Sequence, residues 1–161
     1  MLEIIRNMRD LNFSALKNVY SANEEILGKH NASPQERIDA EQAFYQYLRE
    51  VFFRDPRSLY AVWNCDGRYA AALRVEPYRD GLLITALETA PTLRERGYAS
   101  ALLAAILRSA EDQKIYAHIA KGNRASLRVH EKCGFVVISD SAVMLDGSFT
   151  SAYYTLCNNG K

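Results

Sequence analysis

The sequence predicts an α+β protein in which about four helices flank a central mixed, mostly antiparallel sheet of about seven strands. Two observations predict this class. Apolar residues recur at helical spacing in some segments and alternate with period two in others. These segments do not alternate regularly, because two helices precede a hairpin of strands. The 161 residues and 48% hydrophobic content suit one domain, residues 1–161, with a substantial core.

The N-terminal third is predicted to contain one strand and two helices. Residues 2–5 alternate weakly, which predicts a first strand, and residues 10–22 carry apolar side chains at helical spacing. The second helix begins at Ser33-Pro34, because serine caps a helix and proline fits its first turn, and Glu36 completes the capping pattern. An apolar stripe continues from there, and the helix ends before Pro56.

The remaining elements are predicted from turns and alternation. Asp66-Gly67 is a favourable hairpin turn, and Asp80-Gly81 is a second turn. The predicted strands are 59–64, 68–76, 82–89, 115–120, 135–139, 141–145 and 149–157, the last two joined at Asp146-Gly147. A helix is predicted over 101–109, and a short helix follows Asn123 and is closed by Gly134.

The turn after strand 82–89 carries the first functional signal. It reads Arg94-Glu95-Arg96-Gly97-Tyr98-Ala99 and leads directly into a helix. A helix N-terminus offers unpaired N–H groups and the positive end of a dipole, and a glycine there lets a phosphate approach the backbone. The pattern predicts a pyrophosphate site, although a solvated turn would look similar. Gly-x-x-x-x-Gly-Lys and Gly-x-Gly-x-x-Gly are absent from the sequence.

A second segment, from Asn123 to Gly134-Phe135, reads as a short helix with an asparagine before it and a glycine after it. The two segments together resemble the GCN5-related N-acetyltransferase (GNAT) superfamily. Its first signature is Arg/Gln-x-x-Gly-x-Gly/Ala, matched by Arg94 to Ala99. Its second is an asparagine, a helix bearing tyrosine, and Gly-Phe. Here His130 replaces the tyrosine, which is the one departure.

The resemblance implies a fold in which the fourth and fifth strands splay apart around the pantetheine arm of acetyl-CoA. Thr89 and Ala90 would lie at that point, with the pyrophosphate on residues 94–99 and Asn123 near the pantetheine or the acceptor. The implied coenzyme-binding residues are Thr89, Ala90, Arg94, Glu95, Arg96, Gly97, Tyr98, Ala99, Asn123, Ser126 and His130.

The function that this resemblance implies is an acetyl-CoA-dependent N-acetyltransferase that moves an acetyl group to a primary amine. Direct attack in a ternary complex is expected, since no cysteine lies in a motif for a covalent intermediate. Another acyl-CoA donor and a non-catalytic acyl-CoA-binding or sensing module are the alternatives. A nucleotide or sugar-phosphate binder would leave Asn123 to Phe135 unexplained.

Three residues are candidates for proton transfer. A lysine-like amine of pKa ~10.4 costs about 4.6 kcal/mol to deprotonate at pH 7, so a general base would matter. His118 and Glu88 are the candidate bases, and His130 is the candidate acid for the departing thiolate. Each has a plainer alternative. His118 would be a partly exposed strand histidine, Glu88 would form a salt bridge or a contact that orients the acceptor, and His130 would form a hydrogen bond to the coenzyme.

The acceptor pocket is expected between the two N-terminal helices and the last two strands. Candidate lining residues are aromatic or acidic: Tyr20, Glu24, Glu25, Phe44, Tyr45, Tyr153 and Tyr154. The acceptor itself, a small amine or a protein amine, is not identified by the sequence.

Bulk properties narrow the partners. A net charge of +1 gives no case for nucleic acid or an anionic membrane. No run approaches the ~20 apolar residues of a membrane span, and the N-terminus lacks a signal-peptide pattern, so a cytoplasmic location is expected. The three cysteines and three histidines lack metal-ligand or disulfide spacing, so no metal is expected. A homodimer is consistent with the resemblance.

Overall fold

This computed structural model describes residues 1–159. These residues contain nine strands and five α-helices, joined by turns and short 3-10 helices. The strands are β1 (Leu2–Ile5), β2 (Leu59–Cys65), β3 (Arg68–Tyr78), β4 (Gly81–Thr89), β5 (Ile115–Ala120), β6 (Val136–Ser139), β7 (Ala142–Val143), β8 (Phe149–Thr150) and β9 (Tyr153–Asn158). The helices are α1 (Phe13–Val19), α2 (Glu24–Leu27), α3 (Pro34–Glu50), α4 (Tyr98–Ser109) and α5 (Arg124–Lys132).

Seven strands form one sheet in the order β1-β2-β3-β4-β5-β9-β6, with β4 and β5 parallel and the other neighbouring pairs antiparallel. The predicted α+β class with a mixed sheet of about seven strands is therefore confirmed. The strand expected over 141–145 is wrong as a member of this sheet, since β7 pairs with β8 in a separate hairpin. The strand expected over 149–157 is interrupted after Thr150, and its second part, β9, inserts between β5 and β6.

The helices cover both faces of the sheet. One core joins α1 and α3 to the sheet through Leu16, Phe44 and Leu48, which are buried beside Tyr60. The other core joins α4 to the opposite face through Leu102, Leu103 and Ile106. The helix expected over 10–22 is shorter, because Asn12 caps α1 by accepting from the Ala15 N–H at 3.0 Å. Helix α2, which was not predicted, follows it.

The predicted start of α3 is confirmed, since the Ser33 hydroxyl accepts from the Glu36 N–H at 3.1 Å. The helix ends at Glu50, and a 3-10 helix over Phe52–Arg54 continues toward Pro56.

A bulge in β4 shapes the centre of the sheet. Arg74 lies opposite Thr85 and Ala72 opposite Glu88, so two residues of β4, Ala86 and Leu87, face one residue of β3. Ala86 has φ +53°, which an L-residue seldom adopts. The Tyr20 hydroxyl donates to the Ala86 carbonyl at 2.8 Å and holds the bulge in place.

Beyond the bulge, β4 and β5 separate. Their pairing runs from Leu82–Ile115 to Ile84–Ala117 and stops there, while both strands continue. His118 to Ala120 remain paired with β9 on the other side of β5. The sheet therefore has a gap in its interior, lined by the last residues of β4 and of β5.

Candidate active site

Two cavities, each of about 670 Å³, meet at the gap between β4 and β5. We call the one beside α4 the donor cavity and the one beside α2 the acceptor cavity. They share the lining residues Leu87, Glu88, Asn123 and Ser126. A molecule in one cavity can therefore reach a molecule in the other at this junction.

The donor cavity contains the N-terminus of α4. Gly97 is the N-cap with φ +80°, and no side chain caps this helix. The first intrahelical bond runs from the Ala101 N–H to the Gly97 carbonyl at 2.9 Å, so the N–H groups of Tyr98, Ala99 and Ser100 precede it. A Cβ placed on Gly97 would have no heavy atom within 4 Å. The site therefore offers open space and free backbone donors, which suits a pyrophosphate.

Most of the predicted coenzyme-binding residues line the donor cavity: Thr89, Arg94, Glu95, Gly97, Tyr98, Ala99, Asn123 and Ser126. Arg96 is exposed and lies outside this lining. Ala90 also lies outside it, since it is buried and its N–H donates to the Ala70 carbonyl at 2.8 Å. Because N–H groups alternate sides along a strand, the Thr89 N–H points away from β3 and toward the gap.

Glu88 lies at the junction of the two cavities. Its Oε1 accepts from Arg94 Nη2 at 3.2 Å, and its Oε2 accepts from Asn23 Nδ2 at 3.1 Å. The side chain is 23% exposed. A carboxylate has about four lone-pair positions, so Glu88 can accept a further hydrogen bond from a ligand. The predicted base and the predicted phosphate ligand Arg94 thus form an ion pair, and the predicted salt bridge is present.

His118 faces the acceptor cavity and contacts Tyr78. Its Nε2 lies 3.3 Å from the Tyr78 hydroxyl, which itself donates to the Val143 carbonyl at 2.6 Å. The single hydroxyl proton is committed to that carbonyl, so His118 Nε2 must donate and Nδ1 keeps its lone pair. Burial, followed by the positive charge of Arg79, lowers the pKa of His118. The imidazole is therefore neutral at pH 7 and able to accept a proton.

His130 is nearly enclosed, with 1% of its surface exposed, and its ring contacts Phe135 edge-on at 5.1 Å. Its Nδ1 lies 2.8 Å from the Ser126 carbonyl, which can only accept, so Nδ1 carries the proton. Burial lowers the pKa of His130, and the hydrogen bond to Ser126 only partly opposes this. The imidazolium form that proton donation would require is therefore disfavoured at pH 7.

The expected acceptor pocket is partly different from the one observed. Glu24, Glu25 and Tyr153 line the acceptor cavity, as expected. Tyr20 and Phe44 lie instead in the core between α1, α3 and the sheet. The other two aromatic candidates also lie outside its lining: Tyr45 packs against Phe13 on the outer side of α3, and Tyr154 lies beneath the Lys121 ammonium.

The residues of the acceptor cavity that were not predicted from the sequence include Asn23, Tyr47, Arg74 and Glu76. The sequence pattern could have indicated two of these residues. Arg74 and Glu76 interrupt an apolar strand at alternate positions, which places two charges on one face of the sheet. Burial raises the pKa of Glu76, and its Oε2 accepts from the Thr85 hydroxyl at 3.4 Å.

Two further findings concern residues 1–159. No group of three His, Cys, Asp or Glu side chains in this range is arranged to hold a metal ion. No helix there has the length and apolar character needed to cross a membrane.

Known structures share this fold over nearly their whole length. An N-acetyltransferase from Staphylococcus aureus Mu50 is 18% identical with a TM-score of 0.69, covering 97% of this chain and 100% of the other. The ribosomal-protein-S18-alanine N-acetyltransferase from Escherichia coli is 16% identical with a TM-score of 0.64, covering 100% and 95%. The PaiA N-acetyltransferase from Thermoplasma acidophilum, in complex with coenzyme A, is 11% identical with a TM-score of 0.60, covering 99% of each chain. At these identities the likeness establishes the fold.

A comparison with curated proteins gives no match. The model of the acetyltransferase (GNAT) family matches residues 16–135, well over half of the chain, and includes both predicted signatures. The resemblance stated from the sequence is thereby confirmed: this chain belongs to the acetyltransferase (GNAT) family.

Proposed function

We propose that this protein is an N-acetyltransferase that moves the acetyl group of acetyl-CoA to a primary amine by direct attack in a ternary complex. The observation that carries this proposal is the meeting of two cavities at the β4–β5 gap, with Glu88 at their junction. Two ligands bound on either side of this point would approach each other without a covalent enzyme intermediate.

The donor side is supported by the N-terminus of α4. The free N–H groups after Gly97 would hold the pyrophosphate, and the gap beside Thr89 would hold the pantetheine arm. Coenzyme A bound to the Thermoplasma relative is consistent with this assignment. Acetyl-CoA would supply the activated acyl group, and the Thr89 N–H, which points toward the gap, would polarise its carbonyl.

Proton removal from the amine is assigned to Glu88 and His118. Glu88 is held between Arg94 and Asn23, facing both cavities, and would take the proton directly or through a water molecule. His118, neutral and held by Tyr78, would accept a proton through Nδ1. For an amine of pKa ~10.4, such a base would contribute about 10²- to 10⁴-fold in rate.

Departure of the thiolate needs a proton, and the candidate donor His130 is neutral with its Nδ1 proton bound to Ser126. We therefore assign His130 to the wall of the acceptor cavity. The proton taken from the amine by Glu88 or His118 would then return to the thiolate.

Two measurements test this function. Calorimetric titration with acetyl-CoA should show micromolar binding, with free CoA and ADP as weaker controls. Thiol release should then require both acetyl-CoA and an amine. Binding without amine-dependent release from any acceptor would favour the sensing module, and faster release from succinyl- or propionyl-CoA would favour another donor. Absence of acetyl-CoA binding would refute the proposal.

A further inference from the structure

Arg74 is a cation in the acceptor cavity that forms no direct ion pair in the described part of the chain, and the carboxylate of Glu76 on the same strand interacts with it only at longer range. Its guanidinium carbon lies 5.5 Å from the centre of the Tyr47 ring and 5.9 Å from that of the Phe52 ring. Its Nε is buried without a hydrogen-bond partner among residues 1–159. Within the same range no carboxylate oxygen lies within 4 Å of its guanidinium, although Glu76 is two residues away on the same strand face.

A buried guanidinium normally forms hydrogen bonds, because leaving a charged donor unpaired is unfavourable. The two aromatic rings near it offset only part of this loss. The planar guanidinium presents donors that match the two oxygens of a carboxylate. Arg74, beside Tyr47 and Phe52 in the lining of the acceptor cavity, therefore offers a site for a planar anion.

This site lies close to the proposed centre of reaction. Arg74 is two residues along β3 from Ala72, which pairs with Glu88. Two residues of a strand span about 7 Å. Glu24 and Glu25 add negative charge to the same cavity, which suits an amine that enters as a cation.

We propose that the acceptor is a small amino acid, and that Arg74 binds its carboxylate while its amine lies near Glu88. This inference rests on the proposed acetyltransferase function and deepens it by naming the acceptor class. The atoms balance: an acceptor that enters as an ammonium first loses one proton to the base and from there to solvent. The neutral amine nitrogen then bonds to the acetyl carbon, the carbon–sulfur bond breaks, and a second proton from the nitrogen ends on the thiol.

The competing explanation is that Arg74 only packs between Tyr47 and Phe52. A matched experiment separates the two. Free L-amino acids and their α-carboxamides are compared as acceptors by thiol release, using wild type, Arg74→Met and Arg74→Lys. Arg49→Met serves as the control, because Arg49 also lies over an aromatic ring, Tyr45 at 5.9 Å, but on the outer side of α3.

The decisive quantity is the ratio of kcat/KM for an acid to that for its amide, because comparing this ratio between variants cancels the difference in amine pKa. We expect Arg74→Met to lower the ratio by about ten- to a hundredfold, since a charge-assisted hydrogen bond is lost. Arg74→Lys should also lower the ratio by most of this factor, because lysine lacks the planar pair of donors. Arg49→Met should keep the wild-type ratio.

An unchanged ratio in both Arg74 variants, with unchanged acetyl-CoA affinity and melting temperature, would overturn the inference while leaving the transferase function standing. If no amine releases thiol, the proposed function fails. Ligand-observed NMR with the same acids and amides in the presence of CoA then measures whether Arg74 binds a carboxylate. Binding of acids that is lost in Arg74→Met would support that site. Equal binding of acids and amides, or no binding of either, would overturn it.

Discussion

The N-cap of α4 gives the sharpest test of where the donor binds. Gly97→Glu places a carboxylate in open space at the proposed pyrophosphate site, and Gly97→Gln places a neutral side chain of the same shape there. Both variants take a left-handed φ, so both should lose about 1–2 kcal/mol of stability. The difference between them therefore reports charge alone.

The size of this difference follows from electrostatics. Two like charges ~4 Å apart in water repel by about 1 kcal/mol, and a pyrophosphate linkage carries about two charges. The Gly97→Glu variant should then bind acetyl-CoA about 2 kcal/mol more weakly than the Gly97→Gln variant, or roughly thirtyfold in Kd. Because Gly97 is exposed, salt should reduce the difference.

Calorimetry of both variants with acetyl-CoA at low and high salt measures this prediction, and thermal unfolding confirms that both are folded. Equal Kd values for the two variants at low salt would refute the placement of the pyrophosphate on α4. A difference that did not shrink at high salt would show that charge is not its cause.

Three further predictions concern His118, Glu88 and His130. His118→Ala should slow turnover most for amines of high pKa. Because the pKa of His118 is lowered, the rate advantage of wild type over this variant should persist as the pH falls to a value below ~6.5. An equal loss for amines of all pKa values would argue against a base. Glu88→Gln should lower kcat about 10²- to 10⁴-fold in steady-state assays. Acetyl-CoA binding measured by calorimetry should not weaken, because the substitution frees Arg94 to contact the donor. Weaker binding would instead assign Glu88 to donor recognition. His130 is held neutral when folded, so its contribution to stability is present above pH ~6.5 and is lost as pH falls through its lowered pKa. The variant His130→Asn keeps a donor for Ser126 but has no titratable ring. In thermal melts it should lose less stability between pH 7 and 5 than wild type does, and an equal loss in the two proteins would contradict this prediction.

The sequence predicted those parts of the site that depend on local chemistry. The turn with Gly97 and the capped helix after Asn123 are each built from a few adjacent residues, so their spacing could be recognised without any tertiary contact. The strand–turn–helix order around them followed from hydrophobic periodicity for the same reason. Side-chain capping also made the start of α3 predictable.

The features that were missed depend on pairing between distant segments. The bulge at Ala86 exists only because β3 and β4 change register, and Tyr20, 66 residues away in sequence, holds it. The insertion of β9 beside β5 likewise needs the whole sheet. A salt bridge was one alternative for Glu88, but its partner Arg94 could not be identified from the sequence, because each residue had a separate predicted role.

The gap between β4 and β5 is in effect a sheet edge placed inside the molecule. Exposed strand edges favour unwanted pairing with other chains, whereas this edge lies between two strands of the same sheet, with β5 paired to β9 on its other side. If a donor molecule completes the edge, the folded state gains the free energy of that binding, about 2.7 kcal/mol at a concentration one hundred times Kd. The thermal stability of this protein would then follow the supply of its own donor substrate.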